Sequence, residues 1–300
     1  MNHILGHTQT YGILGDPVAH SLSPLFQNYF LAQAKLDACY IPFLVKPKLI
    51  QQALLGLHAA NIQGLNITIP HKEAILDCVD ADSDATTIGA VNTLRRTEHG
   101  WQATNTDWIG FSSVMEGLQV QVSNTPVLLF GAGGTSRAIL HALHHQGAKH
   151  VFLCNRNQAR AQQLIQALKR SYPDMKVSIL AWEQTHVASI VSQSQLVINS
   201  TSIGLNDNDS FPFELPGQGV AIDAVYKPHG NTAFCRITGN RYISTDGLPM
   251  LIAQGVASFA YWFEPSITTN PNILPDTRLA LQWVEQQLGR TPIDMLGWRT

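Results

Sequence analysis

A glycine-rich segment in the middle of the chain has the residue types that bind a nucleotide pyrophosphate. It reads GAGGTSRA and lies between the apolar stretch PVLLF, residues 126–130, and the helical pattern ILHALHHQG. A glycine turn between a strand and a helix directs backbone N–H groups and the positive end of the helix dipole at phosphate oxygens. The alternative is a glycine turn that only connects two elements, since the spacing is G-x-G-x-x-S rather than G-x-G-x-x-G. The residues predicted to contact the cofactor are Gly131, Ala132, Gly133, Gly134 and Thr135.

The end of the next strand distinguishes NAD from NADP. An NAD site usually places Asp or Glu there to accept a hydrogen bond from the ribose 2′-hydroxyl. Here the strand HVFLC is followed by Asn155, Arg156 and Asn157, with Arg160 one turn later, and none of these is a carboxylate. A guanidinium offers planar donors to a 2′-phosphate, so the segment favours NADP, bound by Asn155, Arg156 and Arg160. The alternative for Arg160 is a solvent-exposed helix residue.

Two charged residues nearer the N-terminus could act on a carbonyl or hydroxyl group. Lys72 follows a strand that ends at Pro70, and an ammonium there can donate to a substrate oxygen and stabilise a developing alkoxide. An exposed lysine at a helix start explains the residue equally well. Asp107 precedes the helical pattern WIGFSSVMEGL, so the residues alone predict a helix N-cap.

Strand-like and helix-like segments alternate along the chain, which predicts an α/β fold with mostly parallel sheets. In the first part, strands are predicted at 11–14, 39–45 and 64–69, a helix at about 72–79, and a hairpin at 90–95 and 101–104. Beyond Asp107, six strands with crossovers match the doubly wound dinucleotide-binding architecture. These strands are predicted at 126–130, 150–154, 177–180, 196–199, 220–224 and 241–243. Long helices are predicted at 247–263 and about 275–288.

Composition excludes several classes of protein. The 300 residues, 45% of them hydrophobic and 13% charged, carry a formal net charge of −2, which leaves no basic excess for nucleic acid. The longest apolar runs fall short of the ~20 residues of a membrane span, and MNHILGHTQT lacks a signal-peptide pattern. The four cysteines show no C-x-x-C spacing, which predicts buried free thiols in a reducing compartment. We therefore expect a cytoplasmic protein of about two domains that binds neither nucleic acid nor membrane.

Eight segments, taken together, resemble the shikimate dehydrogenase family. They are GDPVAHSLSP (15–24), NITIPHK (66–72), GAVNTL with NTD (89–94 and 105–107), GAGGTSRA (131–138), NRNQAR (155–160), NSTSIG (199–204), DAVYKP (223–228) and DGLPMLIAQ (246–254). The resemblance implies the NADP-dependent, reversible reduction of 3-dehydroshikimate to shikimate, in chorismate and aromatic amino acid biosynthesis. It also implies an N-terminal α/β substrate domain with a mixed, mostly parallel sheet, to which the C-terminal helices return (1–107 with 246–300). Residues 108–245 would form an NADP-binding Rossmann domain.

The resemblance also assigns roles to individual residues. Lys72 and Asp107 would be the catalytic pair that handles the proton of the substrate oxygen. Ser21 and Ser23 would bind the substrate carboxylate, with the second serine favouring shikimate over quinate, and a plain helix cap is the alternative role of Ser23. The other substrate contacts that the family implies are Thr68, Asn92, Tyr226 and Gln254. The further cofactor contacts that it implies are Thr201, Ala224 and Gly247.

No metal site is predicted. His141, His144 and His145 share one helix at i, i+3 and i+4 spacing, but no E-x-x-H element or nearby cysteine accompanies them. We expect them to form an exposed helix face.

Four features depart from the family pattern. Gln27 stands in place of a histidine, Asn157 in place of a threonine and Pro249 in place of a glycine. Proline fixes φ and removes an N–H, so the loop near the nicotinamide is expected to differ. The tail from about Thr268 is longer than expected and would cover the domain joint or form an oligomer contact.

Two other functions compete with this interpretation. The first is a quinate/shikimate dehydrogenase or a paralogue acting on a related cyclic hydroxy acid, although Arg156 disfavours NAD and Ser23 disfavours quinate. The second is a non-catalytic NADP sensor, which needs no Lys–Asp pair. In each case the expected partner is a small molecule, and the expected state is a monomer or homodimer.

Overall fold

The computed structural model describes residues 4–298, which divide into two compact units. Unit 1 comprises residues 4–109 and 252–280, and unit 2 comprises residues 110–251 and 281–298. No helix within 4–298 is both long enough and apolar enough to cross a membrane.

Unit 1 is built on a mixed six-stranded sheet. Its strands are β1 Gln9–Gly15, β2 Ala38–Leu44, β3 Gly64–Ile67, β4 Asp80–Ala81, β5 Thr93–Arg96 and β6 Trp101–Thr104. Their order is β2-β1-β3-β5-β6-β4, with β1 parallel to both of its neighbours and β5 antiparallel to both of its own. The helices are α1 Ser23–Gln33, α2 Ile50–Ala59 and α3 Ser83–Ile88.

Part of the C-terminal region returns to unit 1: residues 252–280 belong to it, whereas residues 281–298 belong to unit 2. Three helices cross the division between the units: α4 Asp107–Gly117, α9 Leu248–Trp262 and α11 Thr277–Leu288; α10 Glu264–Thr269 lies in unit 1. The indole of Trp262 donates to the carbonyl of Leu94 at 2.8 Å, and the amide of Gln27 donates to the carbonyl of Gly255 at 2.9 Å. These bonds fix α9 on the sheet and on α1.

Unit 2 contains an all-parallel six-stranded sheet with an α-helix in every connection except the one between its fourth and fifth strands in sequence. Its strands are β7 Val127–Phe130, β8 His150–Cys154, β9 Lys176–Leu180, β10 Leu196–Asn199, β11 Gly219–Asp223 and β12 Tyr242–Thr245. Its helices are α5 Gly134–His145, α6 Gln158–Leu168, α7 Gln184–Val191 and α8 Ala233–Thr238. The order β9-β8-β7-β10-β11-β12 is the doubly wound dinucleotide-binding order, with its switch point at β7 and β10. The predicted Rossmann architecture is confirmed.

Buried apolar side chains explain why these strands form. β7 and β10 read VLLF and LVIN and are buried throughout, which suits central strands covered on both faces. Phe130 contacts Phe211 and Phe213, with ring centroids 5.2 and 5.6 Å away. The switch point therefore rests on a rigid core.

The structure differs from the sequence predictions in three places. Residues 72–79 form turns and a short 3₁₀ helix, Leu76–Cys78, rather than the predicted α-helix, because the Lys72 carbonyl accepts from the backbone N–H of Val91 at 2.9 Å. All four cysteines are free, but only Cys154 is buried and Cys78 is exposed. Residues 246–251 and 281–298 group with unit 2, whereas the predicted boundaries placed them in the substrate domain. Contacts of the C-terminal segment with α4 and with the loop before α9 account for this last difference.

Candidate active site

Lys72 and Asp107 form a largely buried ion pair in unit 1. Lys72 Nζ donates to Asp107 Oδ2 at 2.5 Å, and the two side chains are 15% and 6% exposed. Lys72 lies in the turn after β3, and Asp107 opens α4 shortly after β6. Asp107 is the first residue of α4 rather than the predicted N-cap, and its carboxylate accepts from Lys72. Removing one partner would leave the other charge buried and unpaired, which costs far more than losing an exposed pair.

Asn92 connects this pair to a buried polar network. Its Nδ2 donates to Asp107 Oδ1 at 2.8 Å, to Thr106 Oγ1 at 3.0 Å and to Gln254 Oε1 at 3.2 Å. Its Oδ1 accepts from the backbone N–H of Thr106 at 2.7 Å. One amide therefore orients the catalytic carboxylate and Gln254 together.

A second set of buried polar groups supports Asn92, and none of its residues was predicted from the sequence. The hydroxyl of Ser258 lies 2.9 Å from Asn66 Nδ2, 2.8 Å from Thr93 Oγ1 and 3.0 Å from Thr106 Oγ1. A signal existed at Asn66, because an asparagine inside the fully buried strand GLNI must find hydrogen-bond partners. Ser258 gave no comparable signal in an apolar helix.

The predicted carboxylate-binding serines lie together and join the same network. The backbone N–H of Ser23 donates to Ser21 Oγ at 3.2 Å. Helix α1 begins at Ser23 and its N-cap is Leu22, so a plain cap role for Ser23 is wrong. The Ser23 hydroxyl bonds to the phenol of Tyr40, which donates to Asn66 Oδ1 at 2.8 Å. Burial raises the pKa of Tyr40 well above its ordinary value, so the phenol stays protonated and neutral.

The remaining predicted substrate residues occupy different surroundings. Thr68 is half-buried just beyond β3, and no residue within 4–298 hydrogen-bonds its hydroxyl. Gln254 belongs to the Asn92 network described above. Tyr226 is half-buried in unit 2, beyond the end of β11.

In unit 2 the glycine-rich loop meets the loop that follows β10. Gly131 has φ +111°, and a Cβ there would lie 2.7 Å from Ser200 Oγ, so this position requires glycine. The backbone N–H of Gly133 donates to Ser136 Oγ at 3.0 Å, and Ser136 Oγ lies 2.8 Å from Ser200 Oγ. Helix α5 begins at Gly134, and the first N–H groups of a helix have no acceptor within it. The predicted loop thus presents backbone donors at the switch point, which fits a dinucleotide pyrophosphate.

The two arginines that follow β8 differ in their contacts. Arg160 Nε donates to the carbonyl of Ala132 at 2.9 Å, which ties α6 to the glycine-rich loop. Asn157 Oδ1 accepts from the backbone N–H of Arg160 at 3.1 Å and caps α6, while Asn155 Nδ2 donates to the Asn157 carbonyl. Arg156 is exposed, and its guanidinium makes no hydrogen bond or ion pair with residues 4–298. A guanidinium so placed is suited to an external phosphate.

Buried polar groups also fix the loops after β10 and β11. Asn199 Nδ2 donates to Asp223 Oδ1 at 2.8 Å, and the Thr201 hydroxyl donates to Asn199 Oδ1 at 2.7 Å. The Ala224 N–H donates to the Asn199 carbonyl at 2.7 Å. Burial raises the pKa of Asp223 to about 7. Thr201 and Ala224 were predicted from the family resemblance as cofactor contacts, whereas the Asn199–Asp223 pair that holds them was not predicted.

Gly247 lies at the next loop in the same sheet. Its N–H donates to the Val225 carbonyl at 2.9 Å, and a Cβ would clash with the Ala224 carbonyl. Pro249 is the second residue of α9, where a backbone N–H has no helical acceptor, so the proline does not interrupt the helix.

The histidine cluster differs from the prediction. His141 is 3% exposed, and its Nδ1 lies 2.7 Å from the Tyr172 hydroxyl, so the expected exposed face is wrong for this residue. Burial, aided by the nearby His145 and His144, lowers the pKa of His141 to about 4. Across residues 4–298, no group of three or more His, Cys, Asp or Glu side chains is placed to hold a metal ion.

Comparison with known proteins places this architecture in a family. A model of the shikimate dehydrogenase substrate binding domain matches residues 13–94, and a shikimate / quinate 5-dehydrogenase model matches residues 114–205. The chain is 36% identical over 271 residues to the NADP(+) shikimate dehydrogenase of Thermosynechococcus vestitus, which covers 87% of this chain and 92% of that protein.

Solved structures agree with this assignment. Shikimate dehydrogenase from Aquifex aeolicus aligns with a TM-score of 0.81 at 34% identity, covering 96% of this chain and all of the other. The enzyme from Thermus thermophilus, solved in complex with NADP(H) and shikimate, aligns with a TM-score of 0.78 at 29% identity, covering 93% and 99%. With its two matched domain models and a relative this similar over nearly its whole length, the chain belongs to the shikimate dehydrogenase family.

Proposed function

We propose that this protein catalyses the reversible, NADP-dependent reduction of 3-dehydroshikimate to shikimate. The observation that carries the proposal is the buried pair of Lys72 and Asp107, 2.5 Å apart and fixed by Asn92, in a chain of this family. Reduction of a ring ketone builds negative charge on the carbonyl oxygen, and an ammonium held in place by a carboxylate can stabilise that charge.

The residues of the pair have separate tasks. When bound, NADPH supplies the hydride that the carbonyl carbon receives. Lys72 Nζ hydrogen-bonds the carbonyl oxygen and delivers a proton there, while Asp107 Oδ2 keeps the ammonium in position. Asn92 keeps the carboxylate from rotating because it donates to Asp107 Oδ1. In the oxidation direction the same pair takes the proton from the substrate hydroxyl.

We assign substrate binding to the polar groups of unit 1. Ser21 and Ser23 bind the carboxylate, and the residues that bind ring hydroxyls are Thr68, Asn92 and Gln254. That Tyr226, in unit 2, also contacts the substrate stays a prediction from the sequence. Buried polar groups that are already fixed in place reject analogues that lack a matching hydroxyl, because the unmatched group would lose its partner.

We assign NADP binding to unit 2. The residues from Gly131 to Thr135 would hold the pyrophosphate, and Arg156 would bind the 2′-phosphate, with Asn155 and Arg160 beside it and fixed by their own hydrogen bonds. Thr201, Ala224 and Gly247 would bind the nicotinamide half. A cytoplasmic location and a monomeric or homodimeric state stay predictions from the sequence.

The proposal is tested by absorbance at the nicotinamide band with shikimate or quinate, each combined with NADP⁺ or NAD⁺. We expect rapid turnover with shikimate and NADP⁺ alone. Turnover of quinate, or equal use of NAD⁺, would instead indicate a quinate/shikimate dehydrogenase. Tight NADP⁺ binding without any turnover would favour a nucleotide sensor.

A further inference from the structure

The C-terminal segment, residues 290–298, is fastened to unit 2 by specific contacts. The indole of Trp298 donates to the Ser113 carbonyl at 2.6 Å, and the Gly297 N–H donates to the Gly117 carbonyl at 2.9 Å. A Cβ at Gly117 would lie 2.9 Å from the Trp298 indole nitrogen, so glycine allows the close approach. Met295 and Trp298 are buried. The segment is an integral part of unit 2.

Arg290 begins this segment, and its side chain is largely enclosed beside buried carboxylates. Its side chain is 13% exposed, and its Nη1 lies 2.9 Å from Asp246 Oδ2, whose side chain is 5% exposed. The same Nη1 donates to the Lys227 carbonyl at 3.0 Å. Its backbone N–H donates to the Glu285 carbonyl at 2.9 Å. One guanidinium therefore joins the loop after β11 to the loop after β12.

Both of these loops contain residues that we expect to bind NADP or the substrate. The Lys227 carbonyl belongs to the segment 223–228, which contains Ala224 and Tyr226. Asp246 immediately precedes Gly247, and its Oδ1 accepts from the Leu248 N–H at 3.1 Å at the start of α9. The Gly247 N–H in turn donates to the Val225 carbonyl, so the two loops also contact each other directly.

The surrounding charges explain why a buried arginine is needed here. Asp223, Asp246 and Glu285 are all buried. Burial raises the pKa of Glu285, against the opposing effects of the Ile293 N–H bond and of the Arg290 charge. Without Arg290, Asp246 would keep its bond to Leu248 but face two buried acids without a countercharge.

We propose that Arg290 is a positioning residue, which holds the 223–228 and 246–248 loops in the geometry that places the nicotinamide and Tyr226. The proposal rests on the function proposed above. It gives the C-terminal segment a role within unit 2, distinct from the joint cover or oligomer contact expected from the sequence.

The test compares Arg290→Met with Arg290→Met/Asp246→Asn, using Arg241→Met as an exposed-arginine control. Three readouts are made: hydrogen exchange of segment 246–250 without ligand, NADPH binding by fluorescence titration, and kcat and KM for shikimate. We expect Arg290→Met to lose protection in 246–250, to bind NADPH more weakly and to lower kcat about 10- to 100-fold, as misplacement of a reacting group does. The double variant should recover part of each, because the unpaired carboxylate is gone.

The outcomes separate this proposal from the proposed function. Wild-type protection, binding and kcat in a folded Arg290→Met protein would overturn the proposal, as would a double variant with no recovery in any readout. If the wild-type protein turns over no shikimate, the function fails, while exchange and NADPH binding still test Arg290. If Arg290→Met does not fold, Arg290→Lys keeps the charge and should give partial losses, and wild-type values in all three readouts would overturn the proposal.

Discussion

The substrate site of unit 1 and the nucleotide site of unit 2 are built in different ways. In unit 1, side chains from distant segments hydrogen-bond one another, so that Lys72, Asp107, Asn92 and Gln254 share a single network. In unit 2, the glycine-rich loop offers backbone N–H groups, and side chains such as Ser136 mainly shape the loop. A site made of side chains depends on every member, whereas a site made of backbone depends on a few glycines and on one exposed arginine.

This difference predicts which measurements respond to substitution in each unit. Changes in the unit 1 network should alter the chemical step and the stability together, because its groups are buried and interdependent. Changes at the exposed edge of the nucleotide site should alter nucleotide choice and little else.

Replacement of Lys72 should have the largest effect. Lys72→Ala removes the donor at the substrate oxygen, and we expect kcat to fall about 10²- to 10⁴-fold while KM for shikimate changes little. Steady-state kinetics with shikimate and NADP⁺ measures both. Lys48→Ala, which removes an exposed lysine of the same unit, should behave as wild type. A rise in KM at unchanged kcat would make Lys72 a binding residue only.

Replacement of Arg156 should affect only one nucleotide. Arg156→Ala loses a charge-assisted contact with the 2′-phosphate, so KM for NADP⁺ should rise about 10- to 100-fold while KM for NAD⁺ stays unchanged. Arg160→Ala is the informative comparison, because Arg160 Nε donates to the Ala132 carbonyl in the glycine-rich loop. Loss of this bond should weaken the binding of both nucleotides. Equal losses of both nucleotides in Arg156→Ala would contradict its role at the 2′-phosphate.

Ser258 tests whether the unit 1 network acts as a whole. Ser258→Ala leaves Asn66, Thr93 and Thr106 short of a buried partner, so we expect the free energy of unfolding to fall by about 1–3 kcal/mol. The expected loss of kcat is smaller than for Lys72→Ala, since Ser258 does not contact the pair. Urea denaturation and steady-state kinetics measure the two effects. Unchanged stability would show that these hydroxyls act independently.

Asp223 predicts a pH dependence of stability in unit 2. Burial raises its pKa to about 7 from the ordinary value of 3.8, so between these pH values the folded protein holds a proton that the unfolded chain releases. The free energy of unfolding should therefore fall as pH rises through this window and level off above it. The amide of Asp223→Asn can still accept hydrogen bonds from Asn199 and Val225. The difference in the free energy of unfolding between this variant and wild type should therefore be more favourable to the variant at pH 8 than at pH 5. Equal differences from wild type at both pH values would contradict the buried neutral acid.

The sequence predicted the local structure around the glycine-rich loop more completely than the polar network of unit 1, for a physical reason. The strand, glycine turn and helix around Gly131 are contiguous, and local patterns report contiguous structure. The regular alternation of strands and helices then predicted the doubly wound architecture, whose strand order the structure gives. Ser200, which meets Ser136, was missed because it comes from a different loop.

The polar network of unit 1 joins residues that no local pattern connects. Asn66 and Ser258 are 192 positions apart, and only folding brings them together. The same limit explains the wrong helix at 72–79, where Val91 captures the Lys72 carbonyl, and the wrong exposure of His141, which packs on Tyr172. A tertiary hydrogen bond replaces the predicted helix in the first place, and a tertiary contact buries one side chain of a correctly predicted helix in the second.

The division of tasks between the two sites is tested most directly by nucleotide preference in a double-variant cycle. The ratio of kcat/KM for NADP⁺ to that for NAD⁺, with shikimate as substrate, is measured in wild type, Lys72→Ala, Arg156→Ala and the double variant. We expect Lys72→Ala to keep the wild-type ratio at a much lower rate and Arg156→Ala to lower the ratio towards one. The two losses of transition-state stabilisation should add to within about 0.5 kcal/mol in the double variant. A changed ratio in Lys72→Ala, or strongly non-additive losses, would contradict the separation of chemistry from nucleotide choice.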